Sequence, residues 1–150
     1  MAAGRRLLLA LFLPVPALAQ SLGVPATPPV ALPPLPPIRL APGIVEVPPG
    51  IWRVTFAAER DTLLPEQHAA LGRLAAALNT GTIGRVTLNG EATTGDDLST
   101  HRRLSLARAR AVKAALVLGG LDETRVDIRA LGRTEAARDV VDILGPTAPR

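Results

Sequence analysis

Arg108 is the residue whose position carries the most chemical meaning in this 150-residue chain. It stands in a helical stretch that the pattern predicts from about Leu98 to Val117, ending at Gly119-Gly120. At ~100° per residue, Ser105, Ala109, Val112 and Leu116 share an apolar arc, while Arg102, Arg103, Arg110 and Lys113 form a solvated face. Arg108 falls on the inward side between Leu104 and Val112, with His101 beside it toward the N-terminus. A guanidinium placed there must reach a carboxylate, backbone carbonyls or an anionic ligand. Asp96 and Asp97, in the preceding loop, are the nearest carboxylates in sequence. Either can pair with the arginine internally, and Asp97 is also placed to cap the helix.

Other chemistry is poorly provided for. The two histidines, His68 and His101, lie on different predicted helices, and there is no cysteine. Thiolate and His-x-x-x-His metal sites, cysteine nucleophiles and disulfides are therefore excluded, and no Gly-x-Ser-x-Gly turn presents a serine. Glu91 is a lone loop carboxylate without a second catalytic partner, and Gly81-Thr82-Ile83-Gly84 lacks the lysine and spacing of a phosphate-cradling loop. No enzyme, cofactor or metal is expected. The net charge of +4 and pI of 11.2 suggest an anionic partner, but residues 51–150 hold 14 basic against 12 acidic side chains. Only Trp52 and Phe56 are aromatic beyond residue 12, too few for the stacking platforms of a single-stranded nucleic-acid binder.

Periodicity predicts the secondary structure that carries these residues. Residues 51–58 alternate as a first strand, with Trp52, Val54 and Phe56 on one face. Pro65 opens a helix with the stripe Ala70, Leu71, Leu74, Ala75 and Leu78, ending near Asn79 and Gly81. Ile83–Asn89 reads as a second strand with Val86 and Leu88 on one face. Arg125–Leu131 and Val140–Leu144 follow the long helix as the last two strands. The order βαβαββ, with strands joined by helical crossovers, predicts a two-layer α/β sandwich: a sheet containing parallel pairs, with helices packed on one face.

The N-terminal third reads differently. Residues 1–19 have the form of a cleaved secretory signal: Arg5 and Arg6, an apolar run Leu7–Leu13, and Ala17-Leu18-Ala19 before Gln20. The run is far shorter than the ~20 residues of a spanning helix, so no membrane span is expected after cleavage. Ten of the 15 prolines fall between Pro25 and Pro49, which makes residues 20–50 a disordered, polyproline-like linker, either a spacer or a simple leader. The folded head is then residues 51–144, followed by a disordered tail, 145–150.

Leu104-Ser105-Leu106-Ala107-Arg108-Ala109-Arg110-Ala111-Val112 resembles the Leu-Ser-x-x-Arg-Ala-x-x-Val motif of the OmpA-like C-terminal domain family. Gly90 stands at the expected distance before it, Arg125-Val126-Asp127-Ile128 with Leu131-Gly132 resemble the family's third strand, and Val141-Asp142-Ile143 its last. The resemblance spans roughly residues 51–144 and implies a mixed sheet and a periplasmic module of the cell envelope. It also implies non-covalent binding of diaminopimelate-type peptidoglycan, in which an aspartate after the second strand and the arginine of the long helix clasp the diaminopimelate of the stem peptide. Arg108 matches that arginine. The sequence departs from the family elsewhere: Thr93 stands at the aspartate, His101 where asparagine is common, and Arg138-Asp139-Val140 replaces Asn-Arg-Arg. Under this resemblance the ligand set is Arg108 with Asp96 or Asp97 as relocated acidic partner, and Thr93 and His101 beside them. The alternative is an OmpA-like fold that has lost its ligand and serves as a structural or protein-interaction domain in the envelope, with Arg108 paired internally.

Overall fold

The computed structural model describes residues 35–146. The expected signal segment, the first part of the linker as far as residue 34, and residues 147–150 lie outside the described residues.

Two helices pack on one face of a five-stranded sheet. The elements are β1 (Ile44–Glu46), β2 (Ile51–Thr55), α1 (Pro65–Gly81), β3 (Val86–Glu91), α2 (Leu98–Leu118), β4 (Val126–Gly132) and β5 (Val140–Leu144), with a single 3₁₀ turn (Glu123–Arg125) before β4. The spatial order is β1-β2-β5-β3-β4. β3 and β4 are parallel across the α2 crossover, whereas β5 lies between β2 and β3, antiparallel to both. This is the mixed-sheet α/β sandwich expected, and the insertion of β5 brings the chain just before it to the end of the sheet where α2 begins.

Local signals explain the helices. Pro65 occupies the first turn of α1, and the Gln67 side chain accepts a hydrogen bond from the Leu64 N–H at 3.0 Å. The buried face of α1 contains Ala70, Leu71, Leu74, Ala75 and Leu78, the predicted stripe. Asp97 caps α2 by accepting from the Thr100 N–H at 2.7 Å. Glycines let α1 and the C-cap of α2 come close: a Cβ on Gly119 would lie 2.6 Å from the Cα of Gly72. Gly90 plays the same part between β3 and α2, since a Cβ there would collide with the Ser105 carbonyl oxygen. The core between the layers includes Trp52, Val54, Leu71, Leu74, Leu88, Val112, Leu116 and Ile143, all buried.

One expectation needs correction. The end of the proline-rich stretch is part of the folded domain rather than a disordered linker. Residues Ile44–Glu46 pair antiparallel with β2, Ile44 opposite Val54 and Glu46 opposite Trp52. Ala41 and Ile44 are in the core, and Leu35, Ile38 and Leu40 pack against it. Arg73 on α1 fastens this strap by donating to the Arg39 carbonyl from Nε at 3.1 Å and Nη2 at 2.9 Å. Proline density misleads here because Pro42, Pro48 and Pro49 bracket a proline-free window whose N–H groups remain free to pair, and an edge strand tolerates prolines at its ends.

Strand limits also shift. β2 ends at Thr55 because the backbone beyond it turns its Ala57 and Arg60 carbonyls toward Arg108. β3 begins at Val86, leaving Ile83 exposed, and continues through Gly90 and Glu91. Gly145 donates its N–H to the Gly50 carbonyl at 2.9 Å, so the expected tail starts later than predicted.

Candidate functional site

Arg108 is wholly buried, with 0% of its surface exposed. Its guanidinium donates from Nε to the Arg60 carbonyl at 2.7 Å, from Nη2 to the Ala57 carbonyl at 3.1 Å, and from Nη1 to the Glu91 carbonyl at 3.2 Å. Nη1 also donates to Asp139 Oδ1 at 2.6 Å, closing an ion pair. The guanidinium carbon lies 5.4 Å from the centre of the Phe56 ring, a cation–π distance. One carboxylate, three carbonyls and an aromatic face thus replace the water lost on burial.

Asp139 is the acidic partner, and it comes from the connection before β5 rather than from the loop before α2. It accepts further hydrogen bonds from the Thr93 N–H at 3.1 Å and from the Thr93 hydroxyl. Burial pushes the Asp139 carboxyl up, but the hydrogen bonds from Thr93 and Arg108 outweigh it and hold the group below the ordinary carboxylate range. A neighbouring pair repeats the pattern. Glu91, buried at the end of β3, accepts from Arg138 Nε at 3.2 Å and from the Thr134 hydroxyl at 2.7 Å. Together the two ion pairs pin the β4–β5 connection across the end of β3. Ser105 joins α2 to the same region by accepting from the Gly132 N–H at 3.1 Å.

The structure therefore brings Arg108 and Thr93 together through Asp139, and leaves the other expected residues apart from them. Asp97 is committed to the helix cap, where the Thr100 backbone N–H and then the Thr100 hydroxyl hold its carboxyl below the usual range. Asp96 is exposed in the loop before α2. His101 donates from Nε2 to the Gly95 carbonyl at 3.0 Å, which fixes that loop against the helix. Asp139 was visible in the sequence only as the replacement for an arginine that the family usually has before its last strand.

Next to this closed cluster the surface opens into a groove of about 400 Å³. Glu59 and Asp61 of the β2–α1 loop, Thr94 of the β3–α2 loop, and Thr100, Arg103 and Leu104 of α2 line it. Arg108, Asp139 and Thr93 do not. Glu59 is held in the left-handed region at φ 62°, with its N–H donating to the Thr94 hydroxyl oxygen at 3.4 Å. The groove thus presents carboxylates and a guanidinium to the same space. Among the described residues no group of three or more potential ligands is placed to hold a metal ion, and no helix is long and apolar enough to cross a membrane.

Three solved structures share the architecture. The OmpA-like domain of FopA1 from Francisella tularensis aligns with a TM-score of 0.52 at 20% identity, covering 62% of this chain and 69% of that one. The peptidoglycan-associated lipoprotein from Burkholderia pseudomallei gives 0.55 at 20% identity, over 61% and 87%. The C-terminal domain of Helicobacter pylori MotB gives 0.55 at 18% identity, over 62% and 82%. At these identities the likeness is one of fold. No curated protein matches the sequence. The OmpA family model matches residues 55–142, more than half of the chain, from the end of β2 into β5 and across every residue that contacts the Arg108 guanidinium. This chain belongs to the OmpA family.

Proposed function

We propose that the domain is a periplasmic module of the cell envelope that holds peptidoglycan non-covalently, through the diaminopimelate of the stem peptide, without turning it over. The observation that carries this reading is the groove beside Arg108, which offers both signs of charge in a volume suited to one amino-acid-sized group. Diaminopimelate ends in an ammonium and a carboxylate on one carbon, so a receptor for it needs opposite charges close together. Membership of the OmpA family supports the reading, as does the fold shared with a lipoprotein named for its association with peptidoglycan. Asp96 and His101 belong to the loop and helix turn that flank Gly95, a groove residue, and in this reading they shape the rim.

A second reading has its own observation. Arg108 spends its hydrogen bonds inside the protein, as expected of a domain that keeps the fold but has lost its ligand and meets envelope proteins instead.

Co-sedimentation of the full chain with purified peptidoglycan separates the two. Retention on diaminopimelate-type material, with much weaker retention on lysine-type material that lacks the extra carboxylate, is the expected result. A folded chain that stays in the supernatant with both would reject peptidoglycan binding and favour the second reading.

A further inference from the structure

With Arg108 wholly buried and each of its guanidinium nitrogens bonded inside the protein, the Arg108–Asp139 pair cannot meet a ligand unless it opens. Opening would strip Asp139 of its counter-charge and leave the Ala57, Arg60 and Glu91 carbonyls without their donor. We infer that recognition has moved outward on the same helix, to Arg103 for a ligand carboxylate and to Glu59 and Asp61 for the adjacent ammonium. This inference rests on the peptidoglycan reading above and names the side chains that would perform it.

Arg103 lies five residues before Arg108, ~7.5 Å along the helix axis and turned toward solvent. Its only hydrogen bond among the described residues is from Nη2 to the Thr100 hydroxyl at 3.3 Å, so most of its donors remain available in the fork that suits a carboxylate. Arg103, Glu59 and Asp61 take part in no salt bridge among the described residues, although all three line the groove. Glu59 is also set in place, since its left-handed backbone and its bond to Thr94 fix where the side chain leaves the loop. A left-handed non-glycine residue costs conformational energy, and such costs tend to persist where position matters. Leu104 gives the groove an apolar contact for the methylene chain of the ligand.

The chemistry implied is recognition of an α-amino-acid zwitterion at the end of an aliphatic chain. The Arg108–Asp139 pair acts as an internal strut that holds the groove's two loops in register. Neither Arg103 nor the two loop acids is needed for that strut, so their variants should fold normally.

The test is binding of the full chain to diaminopimelate-type peptidoglycan by the wild type, Arg103→Ala, Arg103→Lys and the double variant Glu59→Gln, Asp61→Asn, each with its thermal unfolding recorded. Loss of charge-assisted hydrogen bonds predicts that Arg103→Ala and the double variant bind about tenfold or more weakly with unchanged melting. Arg103→Lys should fall between Arg103→Ala and the wild type, because a lysine keeps the charge but not the fork. Wild-type binding that survives in both the Arg103→Ala and the double variants would overturn this assignment while leaving the peptidoglycan reading intact. Absence of binding by the folded wild type would overturn both.

Discussion

Arg108 and Arg103 occupy the same helix less than two turns apart, yet their surroundings assign them opposite work. Around Arg108 the protein provides one carboxylate, three carbonyls and an aromatic ring, and solvent is absent. Around Arg103 it provides one long hydroxyl contact, the Asp97 carboxylate nearby, and an open groove lined by two acids that form no salt bridge among the described residues. The difference shows that an arginine on the inward arc of a helix is defined by what the rest of the fold brings to it. A guanidinium whose donors are consumed internally is a structural element, however well its motif matches a binding residue, and the capacity for recognition passes to the charge that is left over.

Breaking the closed region should have the largest effect. Arg108→Ala removes the charge that balances Asp139 and leaves three carbonyls without their donor. It should cost about 3–5 kcal/mol of stability, the range for removing one partner of a buried pair. Because Asp139 keeps 21% of its side chain exposed, the lower end is expected. Urea unfolding followed by Trp52, the single tryptophan and 2% exposed in the fold, measures this directly. A loss below ~1 kcal/mol would show that the pair is not a structural strut.

Ile44→Ala separates a domain strand from a tether. A buried isoleucine truncated to alanine costs about 2–5 kcal/mol, and the small edge position of β1 favours the lower part of that range. A disordered linker would give no change at all.

Asp139 makes the closed region sensitive to acid. Its carboxyl has a depressed folded pKa, so its contribution is fully present above the unfolded value of about 3.8 and is lost as pH falls through the lower folded value. Asp97 and Asp122 are depressed too and act in the same window, but both are exposed. Asp139→Asn should therefore be less stable at neutral pH and should also lack the part of the acid-induced stability loss that sets in as pH falls below about 3.8. Parallel pH profiles for wild type and variant would argue that the depression comes from elsewhere.

Much of this was legible in the sequence, for identifiable reasons. The stripe of α1, the cap and length of α2, the inward position of Arg108 and the residues of β5 all depend on local periodicity or a neighbouring residue. The partner of Arg108 depends on neither. Asp139 is 31 residues away and reaches the arginine only because β5 inserts between β2 and β3. Sequence proximity pointed instead to Asp96 and Asp97, one exposed and the other committed to a cap. β1 was hidden for a different reason: a composition averaged over the proline-rich stretch concealed three residues with free N–H groups. The groove was out of reach because it joins two loops whose relative position is set by long-range hydrogen bonds through Arg108 and Asp139, and no motif in the chain marks Glu59, Asp61 or Arg103 as a set.

The smallest expected effect on stability falls on the residue assigned to recognition. Arg103→Ala removes an exposed side chain with a single 3.3 Å contact, so folding stability should change by no more than about 0.5 kcal/mol. Binding through Arg103 should also depend on salt, since charges in an open groove are screened with a Debye length of ~8 Å at physiological ionic strength, whereas the buried Arg108 pair is shielded from added ions. Raising salt from about 0.05 to 0.5 M should therefore weaken wild-type retention on peptidoglycan while hardly moving the urea midpoint. Were the two quantities to fall together, stability and recognition would share one set of charges, and the division of labour between Arg108 and Arg103 would not hold.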